Sequence, residues 1–292
     1  AAKSGTTTLH NLLNQHPAIC MSKVKEPGYW KNERFKKFKN IEKQNYLDLF
    51  DNPNCKIYGE SSTVYMYYDS YIKNIKNNYK DYPKFIFVLR NPIDRFVSHY
   101  WWMKGLGLEK DEFIKTIKLD VDKKLKPYSY YPKYYFQFGL YSKWLRQFYN
   151  SFGSSNIKII IFEDLINNEL EVTNSCFEFL GLNKLKSIST YRSNETSLIE
   201  NPKLYHFINK SNMGKYLYTK IPKYFLSKNI IKKIRKRIKI YLANWKKEKF
   251  DYPKISKENR LYLKSLYSGD VYELKKLTNL SYKKWIDFNS EK

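Results

Sequence analysis

Six residues near the start of the chain, Lys3-Ser4-Gly5-Thr6-Thr7-Thr8, have the make-up of an anion cradle, and they lead straight into the amphipathic stretch Leu9-His10-Asn11-Leu12-Leu13. The first backbone N–H groups of a helix find no acceptor inside it, and the helix dipole adds partial positive charge at the same end. Lys3 adds a full charge, Gly5 lets the backbone approach an anion closely, and the hydroxyls offer further donors. The order is not that of the nucleoside-triphosphatase loop, G-x-x-x-x-G-K-[ST], where a hydroxyl after the lysine holds magnesium. A plain Ser/Thr-rich helix cap would have the same composition, so the stretch needs support from elsewhere in the chain.

Arg90 and Ser98 offer that support. Phe85-Ile86-Phe87-Val88-Leu89 is apolar on both faces, the pattern of a central parallel strand, and it runs into Arg90-Asn91-Pro92 and then a helix from about Ile93. Arg90 then stands at the carboxyl end of the strand, and Ser98 about two helical turns further on, so both can converge on one phosphate. An ion pair between Arg90 and Asp94 is the competing structural explanation.

Glu26 is the third candidate. Ala18-Ile19-Cys20-Met21 is a short apolar run ending before Lys25-Glu26-Pro27-Gly28-Tyr29-Trp30. A strand ahead of Lys3, the helix from Thr6 to about Gln15 and this run would make one βαβ unit. Its right-handed crossover puts Lys25 and Glu26 on the same sheet edge as the cradle. Only Ala1-Ala2 precede Lys3, so that first strand is expected to be missing from the sequence, and a leader or anchor ahead of it stays open.

Further strands are expected at Cys55–Glu60 and Ile157–Phe162. Helices are expected at Tyr46–Phe50, Tyr71–Tyr79, Glu109–Lys126, Gly139–Phe152, Val172–Leu180 and Ile255–Leu277. The aromatic segment Pro127–Phe138, with Tyr128, Tyr130, Tyr131, Tyr134 and Tyr135, is expected as a loop reaching over the site. Asn229–Phe250 is a basic amphipathic helix, whose lysines either sit in water or lie on a polyanion or membrane surface.

The chain of 292 residues carries 54 Lys+Arg against 28 Asp+Glu, a net charge of +26. Such a field attracts polyanions, although a solvated lysine surface in a Lys-, Asn- and Tyr-rich chain has the same composition. The cysteines Cys20, Cys55 and Cys176 form no metal-ligand spacing; one bridge among them is open, and nothing demands an oxidising compartment. No apolar run reaches membrane-spanning length.

Taken together, Lys3–Thr8 and Phe85–Ser98, in this order and separation, resemble the 5′-phosphosulfate loop and the 3′-phosphate motif of the sulfotransferases that use 3′-phosphoadenosine 5′-phosphosulfate (PAPS). Tyr267, Asp270, Val271, Leu274, Leu277, Leu280 and Trp285 resemble the closing helix and tryptophan of bacterial and Golgi-type members. Lys25–Trp30 resembles the Lys-Glu-Pro-aromatic segment whose glutamate is the base in the carbohydrate (heparan-sulfate-like) and bacterial branch. Ser61 stands where the heparan enzymes often have a lysine, and no cysteine follows Cys176 to make their late pair.

The resemblance implies an α/β, three-layer, P-loop-like fold with a central, mainly parallel sheet flanked by helices and a helical C-terminal portion. A single domain over 1–292 is expected, with 203–292 a mostly helical extension of it. Lys3, Ser4, Gly5, Thr6, Thr7, Thr8, Arg90 and Ser98 would hold PAPS and its product PAP, adenosine 3′,5′-bisphosphate, without a metal. Glu26 would be the general base and Lys3 would stabilise charge on the departing nucleotide, with His99 the rival base.

The acceptor would be a carbohydrate or glycolipid hydroxyl or amine; a small phenol, alcohol or tyrosine is the alternative. No nucleic acid is expected, and residues 229–250 could touch a membrane peripherally. A cytoplasmic location is expected, or a Golgi or membrane-anchored one if an anchor precedes Ala1. A P-loop kinase and a non-catalytic polyanion-binding protein are the readings from other classes.

Overall fold

The computed structural model describes residues 1–30, 46–50, 54–122, 132–190 and 253–289. The chain divides into two compact units. The first comprises Ala1–His99, Ile114–Asn194 and Ile255–Lys292, and the second Tyr100–Phe113 and Glu195–Lys254. All the candidate site residues belong to the first.

Among the described residues the first unit has four strands, β1 (Ile19–Met21), β2 (Ile57–Gly59), β3 (Phe85–Leu89) and β4 (Ile157–Ile161). They form two parallel pairs. β1 runs beside β2 with Ile19 opposite Ile57 and Met21 opposite Gly59; β3 runs beside β4 with Phe85 opposite Ile157 and Leu89 opposite Ile161. Among the described residues the two pairs are not hydrogen-bonded to one another. A disulfide between Cys20 and Cys55 fastens β1 to the residues entering β2 and realises the bridge that the sequence leaves open, while Cys176 is free and buried.

The helices are α1 (Thr6–Leu13), α2 (Asp69–Asn78), α3 (Pro92–Gly105), α4 (Phe113–Val121), α5 (Tyr141–Phe152), α6 (Phe162–Asn167), α7 (Glu169–Phe179) and α8 (Lys257–Thr278). Side chains alternate across a strand, and β3 uses both faces. Phe85 and Phe87 meet Phe148 of α5, with ring centroids 5.4 and 4.9 Å apart. Val88, with Ile160 of β4, packs into a core of Leu9, Leu12 and Leu13 from α1 and Cys176 and Phe177 from α7. The result is the expected three-layer α/β arrangement, with helices on both sides of a parallel pair. The continuous apolar run of β3 follows from this burial.

The C-terminal helix is tied down by polar contacts at its neighbours' ends. Asp270 of α8 accepts from the backbone N–H groups of Ser142 and Lys143 at the start of α5, at 3.1 and 3.2 Å. Arg260 forks onto Asp287 at 2.7 Å and reaches Asp94 of α3 at 2.9 Å, so Asp94 pairs with Arg260 rather than with Arg90. Trp285 is fully buried and its Nε1 donates to Glu163 at 3.0 Å.

Two expectations shift. The helix expected over Glu109–Lys126 covers Phe113–Val121, because the Glu109 carboxylate accepts from the N–H groups of Lys110 and Asp111 and so stabilises a turn there. The aromatic segment expected as a loop reaching over the site is, where it is described, packed into the core. Tyr134, Tyr135, Phe136 and Phe138 are buried, and Phe138 stacks on Tyr67 at 3.8 Å. Tyr128, Tyr130 and Tyr131, the basic helix Asn229–Phe250 and most of the 203–292 extension lie outside the described residues.

Candidate functional site

The cradle is made by backbone geometry. Lys3 has φ +64° and Gly5 φ +78°, two left-handed residues flanking a fully buried Ser4. For Lys3 this conformation costs about 1–2 kcal/mol, so the surroundings must hold it. At Gly5 a side chain fails twice: the dihedral disfavours it, and a Cβ would stand 2.6 Å from Cδ2 of Phe162. Gly5 caps α1 with no side-chain bond, and no acidic residue stands in the first turn. No cap side chain and no first-turn carboxylate therefore offsets the positive end of α1.

Arg90 closes the other side. Its Nη1 donates to the Lys3 carbonyl at 3.4 Å, and its guanidinium lies 4.9 Å over the Phe162 ring. Phe162, the first residue after β4, is thus a floor for both Gly5 and Arg90. Burial and, second, the charge of Arg90 lower the Lys3 pKa to about 8. Two cations side by side at a helix N-terminus suit a multiply charged anion, whose binding would remove that repulsion.

Ser98 sits on α3, which starts cleanly: Pro92 is its first residue and the Asn91 side chain accepts from the Ile93 N–H at 3.0 Å. Ser98 is buried, at 5% exposure, and the Lys3 charge reaches the adjacent His99. His99 itself is buried beside Arg95, its pKa pushed well below the usual histidine value by burial and then by Arg95. A neutral, enclosed imidazole of this kind is a poor candidate for the acceptor's base.

Glu26 lies beyond β1 in a loop gripped by the residues after β2. Its N–H donates to Ser61 O at 2.9 Å, its Oε2 accepts from the Thr63 N–H at 2.8 Å, and its Oε1 pairs with Lys25 at 2.9 Å. The side chain keeps 39% exposure, so one face is open to an acceptor. The charges of Lys25 and Glu26 both reach His10 of α1, whose pKa falls chiefly through burial, then through Lys25. His10 Nδ1 lies 3.0 Å from Ser61 Oγ. The Glu26 corner and the cradle helix are therefore neighbours.

Sequence reasoning passed over Glu60, which directly follows β2. Its carboxylate accepts from Ser62 Oγ at 2.8 Å and the Tyr65 hydroxyl at 2.9 Å, with the Tyr46 hydroxyl at 3.4 Å. Burial raises its pKa to about 7, against the pull of these hydrogen bonds. A glutamate after a strand carries no signal of such surroundings, since its partners come from the turn beyond it and from Tyr46. Phe162 was equally silent.

Comparison with known proteins identifies the family and the fold. Residues 1–252 match the family model described as "Sulfotransferase domain". Carbohydrate sulfotransferase 15 of Mus musculus is 24% identical over 239 residues, covering 63% of this chain and 43% of that protein; the Homo sapiens counterpart is 23% identical with the same coverage. The chain thus spans less than half the length of these curated relatives. Among solved structures, a sulfotransferase from Alicyclobacillus acidocaldarius superposes with a TM-score of 0.67 at 21% identity, covering 98% of this chain and 96% of that one, a likeness of fold. With that family model covering residues 1–252 and a matching fold, the chain belongs to the sulfotransferase domain family.

Proposed function

We propose that this chain transfers a sulfuryl group from PAPS to a hydroxyl or amine of a carbohydrate acceptor, with Glu26 taking the acceptor proton. The observation that carries the reading is the junction of the two nucleotide corners: Arg90 Nη1 lies 3.4 Å from the Lys3 carbonyl. The names of the curated relatives support carbohydrate as the acceptor class.

The donor set fits a nucleotide with charge at both ends. Lys3 and the N–H groups of the first turn of α1 would hold the 5′ end; Arg90 and Ser98 would hold the 3′-phosphate. PAPS supplies the sulfuryl group and leaves as PAP. Lys3 would stabilise the charge that gathers on the bridging oxygen, and the helix N-terminus would add fixed dipoles there. Glu26, anchored through Oε2 by Thr63, presents a carboxylate to the acceptor, whose neutral hydroxyl is otherwise a poor nucleophile. Arg90 and Ser98 discriminate against ATP, which has no 3′-phosphate for them to bind.

A thermal-shift comparison tests the reading. PAP at one hundred times its Kd stabilises the folded chain by about 2.7 kcal/mol, a rise in Tm of roughly 4–5 °C for a chain of this size. ATP with magnesium should give a far smaller shift. Equal stabilisation by ATP and magnesium would favour a kinase, and no shift with PAP would remove the nucleotide site.

A further inference from the structure

We propose that Glu60 is the positioning residue for Glu26: its two carboxylate oxygens terminate two hydroxyl relays that hold the backbone of residues 26–30 in the shape that presents Glu26. This rests on the reading of Glu26 as the acceptor base.

The loop needs holding. Glu26 has φ +60° and Gly28 φ +62°, two left-handed residues within three positions. For Glu26 that conformation is unfavourable unless the surroundings impose it. The imposing contacts form three rungs. The Glu26 N–H donates to Ser61 O at 2.9 Å. The Gly28 N–H donates to Ser62 Oγ at 3.1 Å, and the Trp30 N–H donates to the Tyr65 hydroxyl at 3.1 Å. The last two rungs rest on hydroxyls, and each hydroxyl in turn donates a hydrogen bond to Glu60: Ser62 to Oε2 and Tyr65 to Oε1.

Proton counting fixes the direction. A hydroxyl has one proton, and one that accepts from a backbone N–H is free to donate that proton elsewhere. Only an ionised carboxylate offers an acceptor to both hydroxyls at once. A glutamine offers one acceptor and one NH2, and the NH2 would face a hydroxyl proton with nowhere to go. Glu60 is therefore matched to its two partners, and through them to Gly28 and Trp30.

The surroundings make this relay sensitive to pH. Among the described residues the titratable groups facing Glu60 are Tyr46 and Tyr65, which bond it, Tyr71 and Tyr79, whose pKa values its charge raises, and Glu26, whose charge opposes its ionisation. Burial raises all four phenols, leaving them neutral near pH 7. With burial as the main cause, Glu60 titrates at about 7, so the relay is complete above neutrality and loses an acceptor below it.

The test uses the full chain and two readouts. The first is amide hydrogen exchange at Gly28 and Trp30, with no ligand present. Glu60→Gln should lower protection at one or both; Ser62→Ala should lower it at Gly28 alone, and Tyr65→Phe at Trp30 alone. These single-relay variants keep the test alive if Glu60→Gln fails to fold. The second readout is transfer of labelled sulfate from PAPS to a mixture of unsulfated glycosaminoglycans.

Glu60→Gln should lower kcat by about 10²-fold, the scale of a misplacement near 1 Å, with PAP affinity unchanged and the acid limb near pH 7 gone. Glu60→Asp, which keeps both acceptors, should recover part of the rate. Wild-type exchange at both amides in Glu60→Gln, Ser62→Ala and Tyr65→Phe overturns the proposal. So does full turnover of Glu60→Gln while Glu26→Gln is inactive, which leaves the base reading intact. Full turnover of Glu26→Gln overturns the base reading itself.

Discussion

Gly5→Ala is a sharp probe of the cradle because two independent costs meet at one Cβ. The backbone at Gly5 has φ +78°, and a residue with a Cβ pays about 1–2 kcal/mol there. The Cβ would also stand 2.6 and 2.8 Å from two carbons of the Phe162 ring, where ordinary carbon contacts are near 3.5–4.0 Å. The ring or the loop must give way by nearly an ångström, and overpacking of this kind costs about 1–3 kcal/mol. The sum is about 2–5 kcal/mol, drawn from global stability or from nucleotide affinity according to whether ring or loop moves. Thermal melting and PAP calorimetry on the same variant capture both shares. A double-mutant cycle with Phe162→Ala isolates the steric share, which should appear as a favourable coupling of about 1 kcal/mol or more. A Gly5→Ala protein with wild-type Tm and wild-type PAP affinity would refute the geometry of the loop and the role given to Phe162.

Other outcomes follow from single contacts. The Lys3 ammonium has a folded pKa of about 8, lowered by burial and Arg90, so PAP affinity should hold steady up to that pH and fall above it as the charge is lost; Lys3→Met should be weak at every pH and lack the step, as calorimetry across pH 6.5–9.5 would show. The Cys20–Cys55 bridge closes a 35-residue separation, and its loss through Cys55→Ser should cost about 4 kcal/mol in the chain-entropy account. Thiol titration of the denatured chain should find one thiol before reduction, Cys176, and three after it. Arg260→Ala strips Asp287 and Asp94 of their shared partner and should destabilise the fold by about 1–3 kcal/mol, read from urea unfolding, with PAP affinity per folded molecule unchanged.

The parts of the fold legible in the sequence are those written in local pattern. Phe85–Leu89 is recognisable as a strand at its true boundaries because burial on both faces demands an unbroken apolar run. α1 and α5 are legible from their apolar stripes, and the cradle from its lysine, glycine and hydroxyls at the start of α1. What escaped was set by partners far away in the chain. Glu60 acquires its raised pKa from burial, against the pull of Ser62, Tyr65 and Tyr46, and its place beside Glu26 from Gly28 and Trp30 across the loop. Phe162 matters because Gly5 and Arg90 both land on it. Tyr134 and Tyr135 look from composition like surface stacking groups and are core residues, since neither composition nor spacing records which side of a turn faces inward. Asp94 was a plausible mate for Arg90 by proximity in sequence; Arg260, 166 residues away, takes it instead.

The most direct test is transfer of labelled sulfate from PAPS to unsulfated glycosaminoglycans by the wild type and by Glu26→Gln, with PAP binding measured on both. Labelled product from the wild type, none above background from Glu26→Gln, and equal PAP affinity in the two is the predicted result. Equal product from both proteins, with PAP bound normally, would contradict the account at its centre.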